Sequence, residues 1–243
     1  MIKPIKNFII FGGSKGLGFE ISEKLANEGH NVLVLSRNFK KKINKKNLKY
    51  QSVDLLNIDD RSLNDIINFA DNIDGICFSQ RFRLDDEKDK NSHLKEYDLM
   101  VGSIAQIMLK IRDHNLGGSL NFTRCVIIGS TYSSRVGFDQ DWSYHCSKAA
   151  QLGLTKFLSV HSEGMFNINM ISPSVFMKKN NKTYWETHDR YQKWKSYPSD
   201  GMITSESIVK GVLNLLIESP ESQSGNNIFI DSGVSHLYHD QNK

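Results

Sequence analysis

A chain of 243 residues is long enough to bury the core of one α/β domain without disulfides or metals, and it is short for two independent domains. With 39% hydrophobic and 24% charged residues and only four prolines, the composition excludes the disordered and fibrous classes. The net charge of +4 suits an anionic cofactor, but without a nucleic-acid-binding motif it does not indicate a nucleic-acid partner.

The cysteine pattern and the lack of long apolar runs limit the class of protein further. Cys77, Cys125 and Cys146 form no CxxC pair and no even-numbered set, so we expect neither a disulfide scaffold nor a metal site. No run of 18 apolar residues occurs, and the apolar stretch near the first residue is too short for the core of a signal peptide. We therefore expect a cytoplasmic protein that is neither secreted nor membrane-spanning.

Short apolar runs rich in Val and Ile alternate with longer amphipathic segments. Strands are predicted at residues 8–11, 32–35, 48–53, 75–78, 125–128, 167–171 and 227–230. Helices are predicted at residues 17–27, 60–69, 94–113, 143–162 and 205–218. This alternation predicts a single Rossmann-type α/β domain over residues 1–243, with a doubly wound parallel sheet covered by helices on both faces.

A glycine-rich turn connects the first predicted strand to the first predicted helix. Glycines at this place allow a tight turn and a close approach of the backbone to a ligand, and a pyrophosphate can bind to the free N–H groups of the helix. The candidate cofactor-binding residues of the turn are Gly12, Ser14, Lys15, Gly16, Leu17 and Gly18. The alternative is a turn with a purely structural role.

The end of the second predicted strand bears on the choice of dinucleotide. An NAD site needs a carboxylate about 20 residues after the turn, but Ser36 and Arg37 stand there, and no carboxylate follows until Asp54. A guanidinium matches a 2′-phosphate in charge and geometry, and Lys15 adds a second positive charge. The sequence therefore favours NADP(H) and leaves NAD(H) possible, unless Lys15 and Arg37 are ordinary surface charges.

Two segments near the middle of the chain supply candidate catalytic groups. Tyr144 and Lys148 are four residues apart near the start of a helix, which places both on one face. A free phenol titrates near pH ~10, and a neighbouring cation favours its ionised form. The strand at 125–128 ends in Gly129-Ser130-Thr131, so Ser130, with Thr131 as an alternative, is a candidate to polarise a substrate carbonyl at the carboxyl edge of the sheet.

One long segment, residues 176–203, departs from the strand and helix pattern. It is rich in Tyr, Trp and charged residues, and long connections of this kind are typically lids or binding loops. We expect it to form a lid over the substrate site.

The ordered set of motifs resembles the short-chain dehydrogenase/reductase family over essentially the whole chain. The glycine turn resembles the cofactor loop of that family, with Phe11 where a Thr is usual. Asp54, followed by Leu55, resembles the segment that contacts the adenine, and Tyr144 and Lys148 match the signature Tyr and Lys.

This resemblance implies an enzyme that moves a hydride between a nicotinamide and a substrate carbon. Tyr144 would pass a proton to or from the substrate oxygen, Lys148 would lower the pKa of Tyr144 and bind the nicotinamide ribose, and Ser130 would steady the carbonyl. The resemblance also implies a homotetramer or homodimer that associates through the helices near residues 94–113 and 143–162.

Two departures from the family pattern lie near this chemistry. Phe78-Ser79-Gln80-Arg81 stands where Asn-Asn-Ala-Gly is usual, and Gly102 stands where the family has the Asn of its proton relay. Because Gly102 offers no amide side chain, a catalytically weak or inactive NADP(H)-binding regulatory protein is kept as the alternative function.

Basic residues follow the fourth predicted strand and recur in the expected lid. They are Arg81, Arg83, Lys178, Lys179, Lys182 and Arg190. Cations that converge on a cleft favour a small-molecule substrate with a carboxylate or phosphate, for example a sugar acid or a nucleotide-linked sugar. The alternative is that these side chains are solvated or contact the cofactor phosphates.

Overall fold

Seven strands build the central sheet of this protein. A computed structural model describes residues 4–69, 72–82, 90–116, 122–137, 140–177 and 202–236. The sheet strands are β1 Asn7–Phe11, β2 Asn31–Ser36, β3 Leu48–Ser52, β4 Gly75–Phe78, β5 Thr123–Ile128, β6 Phe166–Pro173 and β9 Asn227–Ile230. The helices are α1 Gly16–Asn27, α2 Asp60–Ile67, α3 Lys90–Tyr97, α4 Ser103–Leu116, α5 Trp142–Val160 and α6 Ser205–Ile217.

The sheet is fully parallel in the order β3-β2-β1-β4-β5-β6-β9. Phe11 pairs with Leu35 on one side and with Phe78 on the other, so the chain leaves β1, β2 and β4 at the same edge. The strand order reverses direction between β1 and β4, and in open sheets of this kind ligands bind beyond the carboxyl ends of the strands at such a point. This confirms the predicted doubly wound Rossmann-type fold.

The core has one apolar layer on each face of the sheet. Alternate residues of β1 serve the two layers, since Phe8 and Ile10 belong to one and Ile9 and Phe11 to the other. Helices α1 and α6 cover the first layer, and α2, α4 and α5 cover the second. Burial on both faces explains why the inner strands β1, β2 and β4 read as nearly continuous apolar runs, whereas the edge strand β3 does not.

The single helix predicted at 94–113 is divided in the structure. Helix α3 passes into a π-helical turn at Asp98–Gly102, and α4 continues from Ser103. In a π-helical turn the backbone hydrogen bonds join residues five apart, compared with four apart in an α-helix. Such turns are often found at functional sites.

The two ends of the expected lid come together in a small parallel pair of strands, β7 Phe176–Met177 and β8 Ile203–Thr204. Residues 178–201, which hold most of the expected lid, lie outside the described residues, as do Arg83 and the basic residues predicted in the lid. None of the described helices is both long enough and apolar enough to cross a membrane.

Candidate active site

The predicted site residues follow strands at one edge of the sheet or begin the helix next to it. Gly12 follows β1, Arg37 follows β2, Asp54 follows β3 and Ser130 follows β5. Parallel strands make this convergence a direct consequence of the topology, since every strand leaves the sheet at the same edge.

The glycine turn leaves the start of α1 open to a ligand. Gly12 has a φ of +77°, and a Cβ on it would lie 2.5 Å from the backbone nitrogen of Gln80, so only glycine fits there. Gly16 has a φ of +59° and faces open space, with no described atom within 4 Å of a Cβ on it. Lys15 is the N-cap residue of α1, but its side chain makes no capping hydrogen bond, and no acidic residue stands in the first turn. The first N–H groups of α1 and the positive end of the helix dipole are therefore suited to an anion.

The ends of β2 and β3 lie beside this turn. The Ser36 hydroxyl donates a hydrogen bond to Ser14 Oγ at 3.0 Å, which ties the end of β2 to the glycine turn. Arg37 is exposed, and its backbone carbonyl accepts a hydrogen bond from the Ser52 hydroxyl at 2.8 Å. No carboxylate follows β2 in this segment.

Asp54 and Leu55 form the turn after β3. The Asp54 carboxylate accepts hydrogen bonds from the Leu56 backbone N–H at 3.2 Å and from the Asn57 amide at 3.0 Å, while Leu55 is buried. Asp54 therefore lies after β3, as the sequence predicts, and its carboxylate also stabilises the turn that follows.

The segment that replaces the family's Asn-Asn-Ala-Gly connects β1, β4 and the π-helical turn. The Ser79 hydroxyl donates to the Phe11 carbonyl at 3.1 Å, and the Gln80 amide donates to the Leu99 carbonyl at 3.4 Å. Among the described residues, the buried Oε1 of Gln80 has no hydrogen-bond partner. The unusual segment after β4 is therefore hydrogen-bonded to β1 and to the π-helical turn, and it holds one buried acceptor without a described partner.

Ser130 lies at the end of β5, where the sequence places it. It is 8% exposed, and its Oγ accepts a hydrogen bond from the Tyr132 backbone N–H at 3.2 Å. The neighbouring Thr131 is also buried and begins a short 3-10 turn.

Helix α5 carries Tyr144 and Lys148 one turn apart. The Lys148 Nζ lies 5.6 Å from the centre of the Tyr144 ring and is buried. Its ammonium donates to the Ile128 carbonyl at 2.8 Å and to Gln151 Oε1 at 3.0 Å. Burial lowers the pKa of Lys148 to about 7, with a further contribution from the Arg81 charge, and the Glu96 charge opposes this change.

Two charged side chains near this pair were not predicted as parts of the catalytic centre. The Arg81 guanidinium carbon lies 4.7 Å from the centre of the Tyr144 ring, and its Nη2 donates to Gln140 Oε1 at 2.7 Å. Burial raises the pKa of Glu96, while a hydrogen bond from the Ser143 hydroxyl opposes the change. The neighbourhood of Lys148 therefore holds charges of both signs.

A protein-family model decides the family of the chain. The model described as enoyl-(acyl carrier protein) reductase, which belongs to the short-chain dehydrogenases/reductases, matches residues 101–235, more than half of the chain. The chain belongs to the short-chain dehydrogenase/reductase family. Members of this family are NAD(P)-dependent enzymes, so this short-chain dehydrogenase/reductase is an oxidoreductase.

Solved structures show the same fold. An aldohexose dehydrogenase of Thermoplasma acidophilum, in ligand-free form, has a TM-score of 0.80 at 17% identity and covers 97% of this chain and 96% of its own. ElxO with NADP bound has a TM-score of 0.78 at 22% identity, with 96% and 100% covered. A short-chain dehydrogenase of Leptospira borgpetersenii with bound NAD+ has a TM-score of 0.80 at 17% identity, with 95% and 93% covered. A search of curated protein sequences finds no match.

The described residues of this short-chain dehydrogenase/reductase fit a bound dinucleotide. The uncapped start of α1, the open space at Gly16 and the unpartnered Oε1 of Gln80 all lie at the carboxyl edge, where a phosphate and a polar group can be accommodated.

Sequence reasoning missed Gln151, which contacts Lys148 directly. The sequence could have indicated this contact, because a glutamine three residues after a lysine lies on the same face of a helix. Arg81 was predicted as a substrate-side cation, but its place over the Tyr144 ring depends on how the loop after β4 meets α5.

Proposed function

We propose that this short-chain dehydrogenase/reductase uses NADP(H) to interconvert a carbonyl and an alcohol on a small anionic molecule. The observation that carries the proposal is the buried Lys148, fixed beside the Tyr144 ring. A buried amine that titrates close to neutrality, next to a phenol at the carboxyl edge of the sheet, is an arrangement suited to proton transfer.

The proposed cofactor would be held by the first three strand ends. The glycine turn from Gly12 to Gly18 and the N–H groups of α1 would bind the pyrophosphate, Arg37 and Lys15 the 2′-phosphate, and Asp54 with Leu55 the adenine side. When bound, the nicotinamide supplies or accepts the hydride.

The chain's own residues would handle the proton and the polarity of the substrate. Tyr144 would give a proton to the carbonyl oxygen in reduction and remove it in oxidation, while the Lys148 charge favours the ionised phenol. The Ser130 hydroxyl, steadied by its bond from the Tyr132 N–H, would donate to the same substrate oxygen.

The preference for NADP(H) is supported by charge. The segment after β2 offers an exposed guanidinium at Arg37 and no carboxylate, and Lys15 adds a second exposed cation in the glycine turn. A carboxylate there would repel a 2′-phosphate, whereas a guanidinium binds it through charge-assisted hydrogen bonds.

Fluorescence titration with NADPH and NADH tests the cofactor assignment. We expect wild type to bind NADPH more tightly, and we expect Arg37→Ala to weaken NADPH binding by about tenfold or more while changing NADH binding little, because only NADPH carries the 2′-phosphate. Arg61→Ala, which removes an exposed arginine on α2, is the matched control.

The titration separates the alternatives. If neither nucleotide binds, the glycine turn is structural and the proposal fails. If NADPH binds but a panel of carbonyl compounds is not reduced, the result favours the regulatory alternative that Gly102 and the segment after β4 leave open.

An anionic substrate is supported by Arg81. Its guanidinium lies over the ring of the proposed proton donor, and because the side chain is exposed, a carboxylate or phosphate on the substrate could bind it.

A homotetramer or homodimer stays a prediction from the family. Trp142, Phe157 and Val160 are large exposed apolar side chains on α5, one of the two helices expected at the interface. Sedimentation of the purified protein would give its oligomeric state.

A further inference from the structure

Gln151 is a buried polar residue that the proposed chemistry leaves without a role. It is 1% exposed, on α5 three residues after Lys148. Its Oε1 accepts a hydrogen bond from Lys148 Nζ at 3.0 Å, and its Nε2 donates to the Met100 carbonyl at 2.8 Å. A buried amide is costly unless both of its ends are bonded, so this pair of contacts defines one orientation of the side chain.

The Met100 carbonyl belongs to the π-helical turn at Asp98–Gly102. The neighbouring Leu99 carbonyl accepts hydrogen bonds from the Ser103 hydroxyl at 2.7 Å and from the Gln80 amide at 3.4 Å. Side chains from α4, from α5 and from the loop after β4 therefore bind the carbonyls of this turn. Gln151 is the member of this set that also reaches Lys148.

Gly102 lies in the same turn and offers no side chain. Among the described atoms, a Cβ on Gly102 would meet only Asp98 Oδ1, at 3.9 Å, so crowding does not explain the glycine. The amide group that contacts Lys148 belongs to Gln151 on α5.

Among the described residues, the Lys148 ammonium has few other partners that favour its charge. Its second hydrogen bond goes to the Ile128 carbonyl, and the Tyr144 ring lies 5.6 Å away. Of the charged groups in this part of the chain, Arg81 opposes the ammonium and Glu96 favours it. Because burial also disfavours the ammonium, each acceptor bonded to it matters for its protonation.

We propose that Gln151 is a positioning residue, which links the Lys148 ammonium to the π-helical turn and holds it beside the Tyr144 ring. The inference rests on the role proposed for Lys148. It adds a residue on α5 whose effect passes entirely through that lysine.

The test is an NMR titration of Lys148 in the full-length protein without substrate. Lysine labelled with ¹³C at Cε reports the protonation of each amine, and the Lys148 signal is assigned by its loss in Lys148→Arg. Gln151→Met removes both hydrogen bonds at similar volume, and Gln151→Glu keeps an acceptor and adds a negative charge. Thr155→Val is the matched control, because Thr155 is buried on the same helix and its hydroxyl donates to the Gln151 backbone carbonyl, at 2.8 Å, and not to the Gln151 side chain.

We expect the titration midpoint of Lys148 to fall by about one pH unit, or tenfold in the protonation constant, in Gln151→Met, because the ammonium loses an acceptor. In Gln151→Glu the midpoint should rise above the wild-type value, and in Thr155→Val it should stay unchanged. An unchanged midpoint in Gln151→Met, or a shift equal to that of Thr155→Val, would overturn the inference. If Gln151→Met does not fold, as judged by circular dichroism, the rise in Gln151→Glu decides, and its absence counts against the positioning role.

NADPH titration of the same samples separates this inference from the proposed function. If wild type binds NADPH and Lys148 does not respond to Gln151, only the positioning role fails. If wild type binds no nucleotide, the proposed function fails, while the NMR titration still decides whether Gln151 controls Lys148.

Discussion

Arg81 brings a full positive charge to the face of the proposed proton donor. Its guanidinium carbon lies 4.7 Å from the centre of the Tyr144 ring, a distance at which the cation and the ring attract one another. The same charge also lowers the pKa of Lys148. Since Arg81 is exposed and bonded to Gln140, it can exchange that contact for an anionic group on a substrate.

We expect this enzyme to prefer a ketone that bears a carboxylate over the methyl ester of the same ketone. Arg81→Gln should reduce that preference by about tenfold or more, because a charge-assisted hydrogen bond to the carboxylate is lost, and it should leave the Kd for NADPH close to wild type. The measurement is the ratio of kcat/KM for the acid and the ester. Arg61→Gln is the control, and an equal loss for acid and ester in Arg81→Gln would contradict an anionic substrate.

At the level of single residues, the sequence predicts what depends on local spacing. The Tyr144 and Lys148 pair follows from a separation of four on a helix, and the open turn at Gly12 and Gly16 follows from glycines between a strand and a helix. The place of Arg81 over Tyr144 could not be predicted in this way. It depends on how a loop after β4 meets a helix more than 60 positions later in the chain.

Helix α5 is the element that aligns the proposed catalytic pair. Its N-cap residue is Asp141, whose carboxylate accepts a hydrogen bond from the Ser143 backbone N–H at 2.7 Å. The helix then runs through Tyr144 and Lys148 to Val160, so the position at which α5 begins fixes the face on which both side chains lie. The Asp141 cap therefore helps to fix the positions of Tyr144 and Lys148 in the site.

We expect Asp141→Ala to lower the free energy of unfolding by about 1 kcal/mol, because the N-cap acceptor is lost. Asp141→Asn keeps an oxygen acceptor, so its stability should stay close to wild type. Urea unfolding of the three proteins at one pH measures the difference. Equal losses in both variants would show that the carboxylate charge, and not the cap, stabilises this end of α5.

The sequence predicts the type of each major element well, but it predicts neither the π-helical turn nor the small pair of strands β7 and β8. The period of the apolar residues gives β4 and β9 at their observed bounds, and the other sheet strands within two residues. The helix predicted at 94–113 contains a π-helical turn that apolar spacing does not reveal. Its carbonyls accept hydrogen bonds from Gln80 and Gln151, which are tertiary contacts, and from Ser103, which lies only four residues after its acceptor.

At the scale of the whole molecule, the site is a consequence of the topology. Seven parallel strands end at one edge, so residues separated by more than 100 positions, such as Gly12 and Ser130, lie at that edge without direct sequence signals between them. The alternation of strand and helix was sufficient to predict this arrangement. The surroundings of Lys148 were not predictable, because they combine α3, α5 and the loop after β4.

The buried Lys148 makes the stability of the whole protein depend on pH. The pKa of its amine is about 7 in the folded protein and near 10.5 for an exposed lysine. Between these values the unfolded chain binds a proton that the folded chain lacks, so this lysine makes the free energy of unfolding rise with pH, by at most about 1.4 kcal/mol per pH unit. Below pH 7 both states are protonated, and this contribution no longer changes with pH.

We expect urea unfolding between pH 7 and 9 to show this rise in wild type relative to Lys148→Met, which removes the titrating amine. The comparison between variants is needed because burial also raises the pKa of the Cys77 and Cys125 thiols, which lowers the stability of every variant as the pH approaches and passes 9. Lys156→Met is the control, since it removes an exposed lysine on the same helix. Its curve should run parallel to wild type, whereas Lys148→Met should diverge from wild type as the pH increases. Parallel curves for all three proteins would mean that Lys148 keeps its proton in the folded state throughout this range. The lysine would then stay charged, as its proposed effect on the Tyr144 phenol requires, but it could not itself exchange a proton at these pH values.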